Sequence, residues 1–355
     1  MLINEVIDSK AIAAVATDNA SNQIPFLGLN WFPERKKMGL DLKWIRTSNG
    51  LPVTLKPSNF DTIPTLRARE GLKTEKTQMA FFRESMQITE ENEQEIMRIN
   101  DTNDPYMAAV LRNIYDDTTN LVRGAEVVPE IMRMSLLATT NGHPVITLES
   151  DGVQYSYDYD PDGTYAANNY AKITTPTLKW SDTTNSKPIT DLINARKALR
   201  KKGKIARYVV MNSNTFDYLI DNAQVRNNIL AQNTTAVIEM TDENVKSVIK
   251  ARTGLEIVIY DKMYKDYAGN EVYFYPNDKV TLLPEGSIGE TWFGTTPEER
   301  TAIQVADVDV SMYGTGIAVA VKTEYGPPAK TVTTASEIVL PSYEGMDSTF
   351  VIEVA

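Results

Sequence analysis

The strongest periodic pattern in the chain is a long run of apolar residues at helical spacing. After Asp104-Pro105, an N-cap residue followed by proline at the first helical position, apolar side chains recur every three or four residues up to Asn141-Gly142. This spacing predicts one helix over residues 105–139, about 50 Å long at 1.5 Å per residue. Since a typical helix has about 12 residues, this helix is longer than a compact enzyme core requires.

Alternating apolar and polar positions predict two hairpins on either side of this helix. Residues 40–55 alternate around Asn49-Gly50, and residues 145–157 alternate around Asp151-Gly152. Between positions 56 and 78 large apolar residues are scarce, which predicts an extended loop that only a neighbouring molecule can order. The charges that we expect to make contacts from this loop are Arg67, Arg69, Glu70, Lys73, Glu75 and Lys76.

The second half of the chain alternates predicted helices and strands. A helix over 188–202 is followed by a strand over 208–211, and a helix over 242–252 by a strand over 255–260. This alternation predicts a second, mixed α/β domain, so the fold class is α+β overall. The predicted divisions are an N-terminal arm (1–30), entry strands with the extended loop (31–88), a long-helix domain with a hairpin (89–180), the mixed α/β domain (181–325) and closing strands (326–355).

Composition narrows the classes of function. The 355 residues contain no cysteine and one histidine, which excludes thiol chemistry, disulfides and most zinc sites. With 36 basic and 47 acidic residues the net charge is −11, which disfavours specific nucleic-acid binding. The N-terminus is acidic where a signal peptide would be basic, and no apolar run is long enough to span a membrane. We therefore expect no membrane partner and a cytoplasm-like compartment.

Three motifs resemble sites of known chemistry only in part. Asp158-Tyr-Asp160-Pro-Asp162-Gly163 copies the first half of a calcium loop, but Asn169 stands where a bidentate glutamate is needed. A solvated turn is the favoured interpretation. His143 lies in a loop context, and Gly314-Thr-Gly316 lacks the third glycine of a dinucleotide fingerprint. We expect no metal, no cofactor and no catalytic residue, with a carboxylate-based hydrolase as the alternative from another class.

One dense basic cluster stands out in the acidic chain. Cations at a helix C-terminus complement the helix dipole, which is the simplest explanation of the cluster. The functional alternative is a patch that faces a polyanion or an acidic neighbouring subunit. The cluster consists of Arg196, Lys197, Arg200, Lys201, Lys202, Lys204 and Arg207.

The order of these parts resembles one family, the major capsid proteins of tailed bacteriophages with the Hong Kong 97 fold, in the lambda-type branch called capsid protein E. Trp31-Phe-Pro-Glu-Arg35 is similar to the family's aromatic entry to its first sheet, and Arg67-x-Arg69-x-Gly71 lies where the family has its extension loop, the E-loop. Tyr273-x-Tyr-Pro-Asn-Asp278 is similar to the aromatic-Pro-Asp turn of its hairpin near the capsomer axis.

The resemblance implies specific roles for the predicted parts. The long helix corresponds to the spine helix of a peripheral domain. The segment 181–325 corresponds to an axial domain, and the segment 326–355 to strands that return to the peripheral domain. The capsomer-axis loop is then Lys265, Asp266, Tyr267, Gly269 and Asn270, and the basic cluster becomes an inner patch.

The resemblance also implies partners and a place of action. The chain would assemble with itself into pentamers and hexamers of an icosahedral head shell in the host cytoplasm, and would be found in the virion. Because about 30 residues precede Trp31, we expect a separate scaffolding protein. The other expected partners are a portal, a decoration protein and packaged double-stranded DNA in weak nonspecific contact. The alternative within the same fold is an encapsulin-like shell around protein cargo.

Overall fold

The computed structural model describes residues 24–46, 73–88, 105–150, 153–230, 240–304, 309–324 and 330–355. Its helices are α1 (Pro105–Leu137), α2 (Thr164–Asn169), α3 (Pro188–Lys201), α4 (Ser213–Ile220), α5 (Ala223–Leu230), α6 (Asp242–Thr253) and α7 (Pro297–Gln304). Its strands are β1 (Glu34–Lys36), β2 (Asp41–Arg46), β3 (Lys73–Gln78), β4 (Ala80–Ile88), β5 (Val145–Ser150), β6 (Val153–Asp158), β7 (Tyr170–Lys172), β8 (Tyr208–Met211), β9 (Glu256–Ile259), β10 (Met263–Lys265), β11 (Glu271–Tyr273), β12 (Lys279–Leu283), β13 (Thr291–Phe293), β14 (Asp309–Tyr313), β15 (Ile317–Glu324), β16 (Lys330–Pro341) and β17 (Phe350–Glu353). None of the described helices is long and apolar enough to cross a lipid bilayer.

The predicted long helix is confirmed as α1, with 33 residues. It ends at Leu137, near the predicted stop, and in the turn that follows Asn141 and Gly142 both adopt positive φ angles, of 50° and 85°. A side chain at Gly142 would also collide with the ring of Tyr170, since a Cβ atom there would lie 2.7 Å from it. The turn that follows the helix therefore requires glycine at position 142.

The first of two compact units contains the described residues within 1–42, 77–133 and 290–342. The 12-residue strand β16 is the centre of its sheet. β4 pairs antiparallel along one edge of β16, while β15 and β13 pair with successive parts of the other edge. β14 extends the sheet beyond β15, and β1 pairs in parallel with β13. Buried apolar residues of this unit include Phe32, Ala80, Met132, Phe293, Val319 and Val339.

The second unit contains the described residues within 43–76, 134–289 and 343–355. Its main sheet has five described strands in the order β7-β17-β12-β8-β9, with β8 parallel to β9 and the central pairs antiparallel. Helices α3, α4, α5 and α6 pack on this sheet through one apolar cluster, which confirms the predicted alternation of helices and strands. Its members include Trp180, Leu192, Leu199, Met211, Phe216, Val225, Ile249, Leu282 and Ile352.

The sheets divide the end of the chain differently from the predicted boundaries. We expected 326–355 to return to one domain, but β16 belongs to the first unit while β17 pairs with β12 in the second. We also placed residues up to 325 in the mixed α/β domain, whereas β13, β14 and β15 join the sheet built on β16. The reason is that strand pairing brings together residues far apart in the chain, which periodicity along the sequence does not report.

Candidate assembly surfaces

The predicted E-loop begins and ends in paired strands. β2 pairs with β3, so Lys73, Glu75 and Lys76 lie on a strand and not in an isolated loop. Arg67, Arg69 and Glu70 lie outside the described residues, as does the predicted partner strand at 51–55.

An aromatic contact fixes the start of this strand pair to the second unit. The indole of Trp44 in β2 stacks on the ring of Tyr159, with ring centroids 5.4 Å apart. Tyr159 in turn meets the edge of Tyr343 at 6.4 Å, and both tyrosines are almost fully buried. Burial raises the pKa of Tyr159 well above its ordinary value, so the phenol stays neutral. Trp44 therefore anchors the strand pair on a rigid aromatic base.

The predicted capsomer-axis loop is the tip of the hairpin formed by β10 and β11. The Asp266 carboxylate accepts hydrogen bonds from the backbone amides of Ala268 (3.0 Å) and Asn270 (2.8 Å) and from the Asn270 side chain (3.0 Å). Gly269 adopts a φ of +84°, which the turn requires. These bonds lower the pKa of Asp266, with the Asn270 side chain as the largest contributor. The tip is thus a closed, hydrogen-bonded turn.

This turn presents one large aromatic side chain to solvent. Tyr267 is 77% exposed, although an exposed tyrosine gains stability only when a partner covers it. The root of the hairpin is fixed because Tyr264 packs on Phe274 at 4.8 Å between ring centroids. Lys265 and Asn270, from the predicted set, flank the tip and are exposed. The tip is therefore a hydrogen-bonded turn with an exposed aromatic side chain.

Replacing Asp266 with alanine is expected to loosen the tip without unfolding the unit, because the carboxylate closes the turn from a fully solvated position. Hydrogen exchange at the amides of Ala268 and Asn270 should become faster. In the native chain the protection of these amides, relative to the exchange of an unstructured chain at the same pH, should be lost only as the pH falls through the lowered pKa of Asp266, since the ionised carboxylate is the acceptor. Unchanged exchange in Asp266→Ala would contradict this role; Asp266→Asn, which keeps one acceptor oxygen, should fall between the two.

The basic cluster divides into exposed and structural members. Lys197, Arg200 and Lys201 are exposed at the end of α3, as the prediction of a decorated helix terminus requires. Arg196 is partly covered, because its guanidinium lies against the turn at Gly254, where a Cβ atom would come within 2.9 Å of it. Lys204 is half-buried in the loop that follows.

Lys202 has a structural role that the sequence did not reveal. Its ammonium group donates to the backbone carbonyl of Asn168 (2.8 Å) and to the side-chain oxygen of Asn169 (2.6 Å). Asn169 is itself buried and donates to the carbonyl of Thr349. Burial lowers the pKa of Lys202 below its ordinary value. Lys202 therefore ties α3 to the end of α2 and is separate from the exposed cations.

The partial calcium loop is a turn that begins α2. The buried Asp160 carboxylate accepts hydrogen bonds from the amides of Tyr165 (2.8 Å) and Ala166 (2.9 Å), and Asp158 accepts from the amide of Asp160 (2.8 Å). The imidazole of His143 lies 3.8 Å from Asp160. Asp160 therefore caps a short helix, and within the described parts of the chain no group of three acidic or histidine residues could hold a metal ion.

A buried charge cluster in the first unit was not predicted. Arg133 in α1 donates to Thr291 (2.8 Å), to Glu34 (3.0 Å) and to Glu130 (3.3 Å). The Arg133 and Glu130 side chains are only 2% and 0% exposed. Glu337 in β16 is also fully buried, and neither of its carboxyl oxygens has a hydrogen-bond partner among the described residues. We call these four charged residues the Arg133 cluster.

The Arg133 cluster also fixes the chain that enters β1. The backbone amide of Gly28 donates to Glu130 at 2.9 Å, and a Cβ atom at Gly28 would lie 2.6 Å from both Glu130 and Arg133. The signal that could have found the cluster is the pair Glu130 and Arg133 within the apolar end of α1. Glu337 carries a similar signal, since it precedes three apolar residues of a strand.

Capsid proteins share this fold over nearly the whole chain. A protein assigned as a capsid protein of an Escherichia coli CFT073 prophage superposes with a TM-score of 0.58 at 15% identity, covering 98% of this chain and 99% of that one. A phage-related protein from Bordetella bronchiseptica RB50 gives 0.56 at 13% identity, with 98% of each chain covered. The capsid of cyanophage A-1(L) gives 0.50 at 14%, covering 95% of each. At such identities the similarity defines a mixed α/β capsid-protein fold.

The sequence itself gives the family. The model of phage major capsid protein E matches residues 9–315, which is most of the chain. No curated protein matches the sequence of the chain. The chain belongs to the phage major capsid protein E family, which confirms the resemblance seen in the sequence, and it is a structural protein of the virion capsid.

Proposed function

We propose that the chain forms an icosahedral head shell with the Hong Kong 97 architecture, around double-stranded DNA. In this proposal α1 is the spine helix, the unit built on β16 is the peripheral domain, and the unit containing α3 to α6 is the axial domain. The observation that carries it is the combination of a 33-residue helix, a long-stranded sheet and a separate α/β unit, with capsid proteins of the same fold covering nearly the whole chain.

The proposed shell is made of pentamers and hexamers of this chain. The β10–β11 hairpin supports an axial contact, because its rigid turn exposes Tyr267 while its root is packed. The β2–β3 pair supports an E-loop that lies on a neighbouring copy, because Trp44 fixes its base and the charged segment follows. Closed symmetry repeats each modest contact many times, so neither contact needs to be strong alone.

The remaining partners follow from the same proposal. Assembly takes place in the host cytoplasm with a separate scaffolding protein and a portal, and a decoration protein covers the outer surface. The net charge of −11 allows DNA to enter without being tightly held. The chain has no catalytic role in this proposal, in which its acidic residues serve packing, capping and contacts between copies.

Reversing Arg67 and Arg69 to glutamate is expected to abolish shells while leaving the subunit folded. Large apolar residues are scarce between positions 56 and 78, so the charges of this segment are expected to act through contacts with another copy. Electron microscopy and light scattering of the protein, expressed with its scaffold, would show free subunits or capsomers in place of shells. The matched control is Lys187→Glu with Arg226→Glu, two exposed reversals elsewhere. Normal shells from the Arg67 and Arg69 variant would refute the E-loop assignment.

A further inference from the structure

In the second unit the C-terminal ends of α3 and α6 lie at the same edge of the sheet. α3 leads into β8 and α6 leads into β9, and these strands are parallel. The two helices therefore end at one edge, where the Glu256 amide donates to the Arg207 carbonyl at 2.8 Å. α4 follows β8 and begins at the opposite edge, where the Tyr260 amide donates to the Met211 carbonyl at 2.9 Å.

The edge where α3 ends is strongly basic. We call it the basic end; its cations are Arg196, Lys197, Arg200, Lys201, Lys204 and Arg207. Of these, Arg207 pairs with Glu285 at 3.2 Å. Lys197, Arg200, Lys201 and Lys204 form no ion pair with any described residue. These four cations are therefore available for contact with a partner.

The basic end also exposes a large aliphatic side chain. Ile205 lies between Lys204 and Ala206 and is 72% exposed. Aromatic residues that could stack on bases are absent from positions 193–207. An exposed isoleucine ringed by lysine and arginine is typical of a protein contact, in which the apolar side chain is buried and the charges surround it.

The opposite edge is acidic. We call it the acidic end; its exposed carboxylates are Asp217 of α4, Asp221 directly after α4, and Asp242 and Glu243 of α6. The two helices adjoin there, since the ammonium of Lys246 lies 5.4 Å from the ring of Phe216. The unit therefore carries opposite charges at its two ends.

We infer that the basic end of one copy docks on the acidic end of the next copy within a capsomer. The inference rests on the proposed shell, since a ring of identical copies needs a heterologous contact in which two different surfaces of one chain meet. Charge complementarity on a single unit supplies such a pair, and Ile205 becomes the apolar centre of the contact. The basic end then faces protein instead of DNA.

A charge exchange tests this contact. Lys197→Glu with Arg200→Glu should reduce shell yield at least about tenfold, because like charges then face each other at every copy of the contact. Asp217→Lys with Asp221→Lys should do the same; α4 should tolerate it because Asp221 follows the helix, where a cation complements the dipole. Combining all four changes should restore shells to within about threefold of the native yield.

The controls separate this inference from the proposed function. Arg300→Glu with Lys322→Glu reverses two exposed charges in the first unit, outside both the basic end and the acidic end, and should form shells normally. Circular dichroism melting should show that every variant folds. If the native chain forms no closed shells, the proposed function fails. If the native chain forms shells and the two charge-reversed variants also form them, this inference alone fails. It also fails if the variant that combines all four changes does not recover shell formation. If Lys197→Glu with Arg200→Glu forms normal shells that contain no DNA, the basic end binds DNA and the inference is overturned.

Discussion

Replacing Arg133 with methionine is expected to lower the free energy of unfolding by about 3–5 kcal/mol, because it leaves the buried Glu130 carboxylate without its cation. Arg133 holds Glu130 and Glu34 at 3.3 and 3.0 Å, and its own side chain is 2% exposed. Glu130 cannot turn toward water, since it is 0% exposed and accepts the amide of Gly28. Urea unfolding followed by circular dichroism would measure the loss, and shell yield would fall with it.

A surface ion pair provides the comparison for this variant. Arg83 lies 2.5 Å from Glu298, with the arginine side chain 44% exposed. Arg83→Met should cost about 1 kcal/mol, because the arginine lies in contact with water, although the side chain of its partner Glu298 is only 13% exposed. Adding Glu130→Gln to Arg133→Met should recover part of the loss, since the amide still accepts from Gly28 but carries no charge. An Arg133 variant as stable as the Arg83 variant would show that the cluster carries no uncompensated charge.

The sequence predicted the elements of this fold better than their arrangement. α1 was predicted because its apolar residues repeat at helical spacing over many turns, and the β5–β6 pair because alternation surrounds Asp-Gly. The residues of β13, β14 and β15 were placed in the mixed α/β domain, whereas these strands pair with β16 through backbone hydrogen bonds that no local pattern encodes. Single-sequence periodicity reports which face of an element is buried and is silent on its partner.

The candidate surfaces also combine features that the sequence predicted with features that it did not. The turn at Asp266 and the end of α3 were located correctly from local signals, a turn with Gly-Asn and a run of cations. The separation of Lys202 from the other cations was not predictable, because its partners Asn168 and Asn169 lie more than thirty residues away. The Arg133 cluster was missed for the same reason, since Arg133 and Glu337 come from a helix and a strand about two hundred residues apart.

Replacing Glu337 with glutamine is expected to remove a pH dependence of stability. Burial raises the pKa of Glu337 well above its ordinary value; Arg133 acts in the opposite direction, and Glu34 and Glu126 raise this pKa further. The folded chain therefore keeps the proton of Glu337 at a pH where the unfolded chain has lost it. The free energy of unfolding must then decrease as the pH rises from the ordinary glutamate pKa to the raised one, by up to about 1.4 kcal/mol per pH unit.

Glutamine stays neutral at every pH and has the same shape, so the Glu337→Gln variant should lose this slope and become more stable than the native chain at neutral and alkaline pH. The measurement is urea unfolding of both proteins at about nine pH values between pH 5 and pH 9, which gives the free energy of unfolding at each pH. Glu298→Gln, at a partly exposed carboxylate paired with Arg83, is the control and should leave the slope intact. A native slope that persists in Glu337→Gln would show that another group titrates. Because Glu337 lies in β16, the central strand of the sheet, its proton links the stability of the whole first unit to pH.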